Sequence, residues 1–581
     1  MQRIKEEVLR FDPNAEMRAE LEGLEESALE DRLGCRLAFG TAGLRGPMRA
    51  GYNGMNDLVI LQTTQGLASY LIEQLGEKAA QERGVIIGYD HRKKGSLSSL
   101  SFARYCAAVF LARGIKVYCL EGFVPTPFVP YGVTKFNCCA GLMITASHNP
   151  KADNGYKVYW GNGAQIIPPH DSGISAHIAN NLRPAAAYDV SDSFVLNHEL
   201  SEDVTDKVSS AYMAAIAAQP SNTREASSDL KIAYTAMHGI GGKWVEMAFD
   251  RCNHGALLSV PSQFEPDAEF PTVVFPNPEE KGALDESISF SNEHGCDLIL
   301  ANDPDADRLA VAEKQGAGEW KVFSGNQIGQ LLGYWQICQW KERGGQSDAM
   351  VLTTVVSSRM LQAIAKAEGV GYTDTLTGFK WIGNSALEQS AAGKTVLLSY
   401  EEALGYCCGD LLCDKDGVHA AVVFASMVKY YKRTEGKSIA QVMESLYDKY
   451  GRFVSYNSYV FCHDSALTDK IFARIRTFGE TIGGVATSRV VDVTNGTDTA
   501  ASNGKSELPL TPGSHMIMYT FTNGVNLTLR TSGTEPKIKF YSELAGSGGE
   551  TVEGITEKLR GFVDRVVEEL LEPTLHKLQR A

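Results

Sequence analysis

Residues 138–160 read CCAGLMITASHNPKADNGYKVYW. The small and β-branched run up to Ile144 predicts a buried strand, and Asn149, Pro150 and the Asp153-Asn154-Gly155 turn fix a loop at its end. That loop carries a hydroxyl, Ser147. Beside it lie an imidazole, His148, and an ammonium, Lys157, so one short segment offers a nucleophile and two groups able to move a proton or hold phosphate. Taken alone, the same residues equally describe a polar loop with a capping serine. Other parts of the chain separate the two.

A second loop supplies what such a serine needs. Residues 296–308, CDLILANDPDADR, run from the apolar Leu298-Ile299-Leu300 into Asp303, Asp305 and Asp307, alternate residues that can aim three carboxylates at one point. Carboxylate oxygens suit a hard cation such as Mg²⁺, and like charges so close repel one another without one. The spacing excludes an EF-hand: with Asp303 as position one, Arg308 stands where a Gly is required and Lys314 where a bidentate Glu is required. A third loop is basic. In VNLTLRTSGTEPKIKFY, residues 525–541, alternating strands flank a turn that holds Arg530, Ser532, Gly533, Thr534 and Lys539, the fork, hydroxyls and charge of a phosphate clamp. A hairpin turn with basic neighbours is the alternative.

Together these loops resemble the α-D-phosphohexomutase superfamily over nearly the whole chain. Its elements occur in family order: FGTAGLRG at 39–46, TASHNP at 145–150, DPDADR at 303–308, TGFKWIG at 377–383, YEEALGY at 400–406 and RTSGTEPK at 530–537. The resemblance implies that Ser147 carries a phosphoryl group and, with Asp303, Asp305 and Asp307, binds Mg²⁺. It implies that Arg45, His148 and Lys157 surround the phosphoserine and that Arg308 and Lys380 face the active-site phosphates. Glu402 is the implied sugar-hydroxyl acceptor, and Arg530, Ser532, Gly533, Thr534 and Lys539 the implied clamp for the phosphate not being transferred. The implied reaction interconverts a sugar 1-phosphate with a 5- or 6-phosphate through a sugar bisphosphate, with glucose 1,6-bisphosphate as primer. Either His148 or Lys157 handles the hydroxyl proton.

One departure narrows the branch. Where many hexomutases carry a GEMSGH-type sugar loop, this chain has Glu401-Glu402-Ala403-Leu404-Gly405-Tyr406, so a Ser and a His become Leu404 and Tyr406. That loop, Asp414-Lys415-Asp416-Gly417 after it, and FSGNQIG at 323–329 are most similar to the branch of phosphoglucomutase 2 and the phosphopentomutases. The same branch holds a glucose 1,6-bisphosphate synthase, which stands as an alternative. A phosphatase using an aspartyl phosphate is a further one, but Asp307 occupies a position where that loop has Thr or Val. A binding protein without activity is a poor fit, because function lives in sites and the site residues are intact.

Composition agrees with a soluble enzyme of several cores: 581 residues, 44% hydrophobic and 22% charged. A net charge of −15 argues against nucleic acid or an anionic membrane as partner, and leaves sugar phosphates to be held by local basic clusters. The twelve cysteines show no metal-binding CxxC spacing and read as free thiols. No apolar run is long enough to span a membrane, so a cytoplasmic protein, monomer or weak dimer, is expected. Alternating strands and helices predict an α/β fold of three similar mixed α/β domains, 1–205, 206–325 and 326–450, and a C-terminal α+β domain, 451–581, around a central cleft. The Gly-, Ser- and Thr-rich stretch 495–514 predicts a mobile surface excursion, and His238 either faces the cleft or is a core or turn histidine.

Overall fold

The computed structural model describes all residues except 42, 220–229, 317, 346–347, 512, 533–535, 548 and 581. The chain forms two compact units, Met1–Leu352 with Gly378–Ala440, and Thr353–Thr377 with Gln441–Ala581.

The first unit is built from α/β layers. Its first sheet has six strands in the spatial order Leu44–Pro47, Asp153–Trp160, Ala140–Ile144, Val85–Tyr89, Val117–Cys119 and Ser201–Asp203. Val85–Tyr89 and Ala140–Ile144 are buried throughout, as continuous apolar runs in a parallel sheet must be when helices cover both faces. A second sheet centres on Ile232–Thr235 beside Leu298–Ala301, and a third on residues 349–352 beside Thr395–Glu401.

One device recurs in all three. Ala140–Ile144, Leu298–Ala301 and Thr395–Glu401 each lie parallel to one neighbour and antiparallel to the strand that follows in the chain, respectively Asp153–Trp160, Ala310–Lys314 and Gly405–Cys408. The loops joining these pairs hold Ser147, the three aspartates and Glu402. The alternation of strand and helix suggested repeats; the shared topology is what makes them alike. Three α/β/α domains followed by a β-rich C-terminal domain constitute the fold.

Helices sit where local signals put them. Ser98 caps Ser99–Ala112 through a capping box with Ser101, and Thr551 caps Val552–Leu571. The most intimate helix packing joins Asp57–Leu75 to His170–Asn180. Gly66 allows it, since a Cβ there would lie 2.6 Å from Ile178 Cα.

In the second unit an antiparallel sheet runs in the order Phe453–Ser455, Lys537–Ala545, Asn526–Thr531, Met516–Phe521, Val485–Asp492 and Thr481–Ile482. Helices Ser465–Ile475 and Val552–Leu571 bury one face through Phe472, Leu559, Phe562 and Val566. Among the described residues of 495–514, Asp498 pairs with Arg489 at 2.5 Å, and Asn495 donates its side chain to Asp492, which also accepts from the backbone of Thr494. Asp and Asn side chains that bond their own backbone turn a Gly-rich segment into a series of tight turns.

Gly66→Leu should lower the stability of the first unit by about 1–3 kcal/mol through overpacking, read as a lower urea midpoint. An unchanged midpoint would mean that the two helices part without cost.

Candidate active site

Ser147 lies just beyond the buried strand Ala140–Ile144, 2% exposed and in the left-handed region at φ 52°. Such a conformation in a non-glycine residue persists only where the surroundings over-determine it. Here they do. The Arg92 guanidinium, itself 1% exposed, donates to the carbonyls of Ser147 and Asn149 at 2.6 Å each, of Pro150 at 2.8 Å and of Asp153 at 3.0 Å. Asp90 lies 3.5 Å from Arg92 Nε, and Asp90 Oδ1 accepts from the Arg92 backbone and from the Ser99 hydroxyl. The Ser147 backbone donates to Thr145 Oγ1 at 2.8 Å. Its own hydroxyl donates to Asp303 Oδ2 at 2.8 Å and lies 3.3 Å from His148 Nδ1. Burial, then Arg308 and Arg45, push His148 well below the usual imidazole range.

Asp303, Asp305 and Asp307 are fully buried and present one oxygen each within 4.8 Å of the others. Lys157 Nζ bridges Asp305 Oδ2 at 2.7 Å and Asp307 Oδ2 at 3.0 Å, while Lys415 Nζ lies 3.4 Å from Asp307 Oδ2. The Oδ1 atoms of Asp305 and Asp307 are buried without a hydrogen-bond partner. Burial, then Asp305 and Asp307, lift the Asp303 carboxyl well above the ordinary carboxylate range. Burial pushes Asp305 the same way, but the Lys157 ammonium together with hydrogen bonds from Asp303, Lys157 and Thr126 outweighs it and holds Asp305 below that range. Lys157 answers in kind: burial lowers it, and Asp305 and Asp307 more than restore the charged form. Unpartnered, convergent carboxylate oxygens beside a serine hydroxyl fit a hard divalent cation.

The other basic residues surround this centre. Arg45, on the strand Leu44–Pro47 that pairs with Asp153–Trp160, donates to Asn149 Oδ1 at 3.1 Å. Arg308 lies 3.8 Å from Asp307 and 3.9 Å from Asp303 and donates to the Ala403 carbonyl at 2.6 Å, joining the aspartate loop to the sugar loop. Lys380, in the first turn of Phe379–Ala391, donates to the Thr41 hydroxyl. Glu402 is half-buried at the end of Thr395–Glu401, and its carbonyl packs so tightly on Gly325 that a Cβ there would lie 1.8 Å away. Leu404 is buried at φ 59°, and Tyr406, fully buried, donates its hydroxyl to the Gly325 carbonyl at 3.0 Å. His238 is a turn histidine at φ 61°, buried and bonded to Thr272 Oγ1 at 2.8 Å.

Within the second unit, Arg530 and Lys539 stand directly opposite each other on adjacent strands, and Arg530 donates to Tyr541 OH at 3.0 Å. The Ser532 backbone donates to the Lys537 carbonyl at 2.9 Å. Gly533 and Thr534 lie outside the described residues.

Three participants escaped the sequence reading: Arg92, Lys415 and Thr126, whose hydroxyl donates to Asp305 Oδ2 at 2.6 Å. Arg92 sits in DHRKKG immediately after a buried strand and Lys415 in DKDG after another, so a charged cluster at a strand's carboxyl end was the available signal. Thr126 had none beyond its two flanking prolines.

The chain matches family models for the phosphoglucomutase/phosphomannomutase α/β/α domains I, II and III at residues 36–184, 210–316 and 324–450. It therefore belongs to the phosphoglucomutase/phosphomannomutase family and is an isomerase of the mutase class. Among curated proteins it is 43% identical to the phosphopentomutase of Mus musculus, covering 98% of this chain and 94% of that protein. It is 41% identical to the glucose 1,6-bisphosphate synthase of Homo sapiens over the same shares of the two chains. The fold is that of the phosphoglucomutase from Paramecium, at a TM-score of 0.66 and 17% identity, covering 93% of this chain and 95% of that one.

Arg92→Ala would leave Asp90 buried beside no cation and free four carbonyls of the serine loop. It should destabilise the first unit by about 3–5 kcal/mol, and a denaturation midpoint equal to that of the parent would disprove the clamp.

Proposed function

We propose that the chain interconverts a pentose 1-phosphate with its 5-phosphate, and acts also on the glucose phosphates, through a phosphorylated Ser147. The observation that carries the reading is the Ser147 hydroxyl on Asp303, beside the unpartnered oxygens of Asp305 and Asp307.

In this reading phosphoserine 147 transfers its phosphoryl group to the free hydroxyl of a sugar monophosphate. The Ser147 O–P bond breaks as the sugar O–P bond forms, and the hydroxyl proton leaves to His148, which burial keeps neutral beside Ser147; Lys157, the other candidate, is already protonated between Asp305 and Asp307. The bisphosphate turns, its other phosphate meets Ser147, and transfer back restores the phosphoserine and yields the isomer. Mg²⁺ held by Asp303, Asp305, Asp307 and the serine phosphate would offset charge on the transferring group. Arg45 and Arg308 hold the equatorial oxygens, Lys380 faces a phosphate and Glu402 accepts a sugar hydroxyl. Arg530, Ser532, Gly533, Thr534 and Lys539 clamp the phosphate that stays, which accounts for two cations placed face to face on one sheet. Glucose 1,6-bisphosphate serves as primer.

The pentose preference has two supports. Tyr406 spends its hydroxyl on the Gly325 carbonyl and Leu404 has none, so the loop offers a hexose fewer hydrogen-bonding groups than a Ser and a His would. A site lacking such groups tolerates a sugar with fewer hydroxyls. The curated relatives include the mouse phosphopentomutase described above. Similarity to the glucose 1,6-bisphosphate synthase of Homo sapiens favours a second reading, in which the bisphosphate is released as product. The four-part division 1–205, 206–325, 326–450 and 451–581, a monomer or weak dimer, and a cytoplasmic location complete the proposal. All twelve cysteines are free thiols, which suits a reducing compartment, and no described helix is long and apolar enough to cross a membrane.

The purified protein should carry phosphate on Ser147, seen by peptide mass spectrometry, and Ser147→Ala should lose turnover while still binding sugar phosphate. Phosphate on another residue alone, or phosphate labile to hydroxylamine as an aspartyl phosphate is, would remove the assignment.

Assayed side by side with a bisphosphate primer, ribose 1-phosphate and deoxyribose 1-phosphate should turn over with kcat/KM at least equal to that of glucose 1-phosphate. Negligible pentose turnover makes the protein a phosphoglucomutase. A dominant reaction of 1,3-bisphosphoglycerate with glucose 1-phosphate makes it the bisphosphate synthase.

A further inference from the structure

Thr126 lies between Pro125 and Pro127, on the path from the strand Val117–Cys119 to the helix Phe128–Phe136, and has no exposed surface. It makes two contacts to a single residue of another sheet. Its hydroxyl donates to Asp305 Oδ2 at 2.6 Å, and its backbone N–H donates to the Asp305 carbonyl at 3.0 Å. The residue before a proline is confined to extended backbone, and the second proline ring holds the other side, so the hydroxyl is presented from a stiff support.

The consequence lies in how Asp305 uses its two oxygens. Oδ2 accepts from Thr126 and from Lys157 Nζ at 2.7 Å, and Oδ1 accepts from nothing. A carboxylate held by one donor can exchange its oxygens by rotation about Cβ–Cγ. Two donors from different elements remove that freedom, leaving Oδ1 as the oxygen with no hydrogen-bond partner. Lys157 cannot impose this by itself, because the same ammonium also serves Asp307 Oδ2 at 3.0 Å. Thr126 is the donor dedicated to Asp305.

We infer that Thr126 is a positioning residue for the cation: by occupying Asp305 Oδ2 it dedicates Oδ1 to the metal and sets the angle at which that oxygen is offered. The inference rests on the reading of Asp303, Asp305 and Asp307 as metal ligands. Outer partners that orient metal ligands typically contribute about 10–100-fold to affinity.

Calorimetric titration of the metal-free full-length protein with Mg²⁺ tests it, with Asp305→Asn as the control for the metal site itself. Thr126→Val, which keeps the shape and loses the hydroxyl, should weaken Mg²⁺ binding by about tenfold or more. Thr126→Ala should follow it, which covers the case in which the valine does not fold, and Thr126→Ser should bind as the parent does. If Asp305→Asn loses affinity while Thr126→Val and Thr126→Ala keep it, the inference fails and the metal reading stands. Unchanged affinity in Asp305→Asn as well overturns the metal reading. Equal losses in Thr126→Ser and Thr126→Ala would show that packing, not the hydroxyl, is responsible, and would also overturn the inference.

Discussion

Three carboxylates buried within 4.8 Å of one another set the terms for the first unit. Burying charges without partners costs several kcal/mol per ion even after relaxation, so a fold that places Asp303, Asp305 and Asp307 there must deliver cations to the same point. It does so from separate elements. Lys157 comes from the antiparallel strand Asp153–Trp160 of the first sheet, Lys415 from the turn that opens the helix Gly417–Glu435, and Arg308 from the aspartate loop itself. Tyr159 and Gln165 in turn fix Asp414 beside Lys415, and Arg308 is held by the Ala403 carbonyl. The sheets meet where the charges balance.

Chain topology makes the convergence economical. In each α/β sheet of the first unit the functional loop joins a strand with a parallel neighbour to an antiparallel returning strand. The returning strand can carry a second functional group, as Asp153–Trp160 carries Lys157 opposite Met143. A loop anchored on both sides by sheet hydrogen bonds has little freedom left, and the remainder at Ser147 is removed by Arg92.

Much of this was legible in the sequence because it depends on local signals. Apolar runs ending in polar turns placed the strands before Ser147, Asp303 and Glu402, and alternate aspartates announced a shared focus. What was not legible depends on partners distant in the chain. Asp90-His91-Arg92-Lys93-Lys94 has the look of a solvated charged loop, yet Lys93 and Lys94 are exposed while Arg92 is sealed beneath the serine loop. Thr126 has no local peculiarity at all; its meaning comes from a residue 179 positions away. Tyr406 shows the limit from the other side. Its identity revealed the loss of a histidine, but only the bond to the Gly325 carbonyl reveals that its own hydroxyl is already committed.

The seating of the sugar loop on Gly325 bears on how specificity in this fold can change. Glu402 offers its carbonyl where a side chain at 325 would stand, and Tyr406 bonds the backbone of that same glycine. The hexapeptide 401–406 and the start of the helix Gly325–Glu342 are therefore a single mould in two pieces of chain. Transplanting the loop alone into a relative with any larger residue at 325 would displace Glu402. A change in either piece must be matched in the other, which ties the loop to the start of that helix.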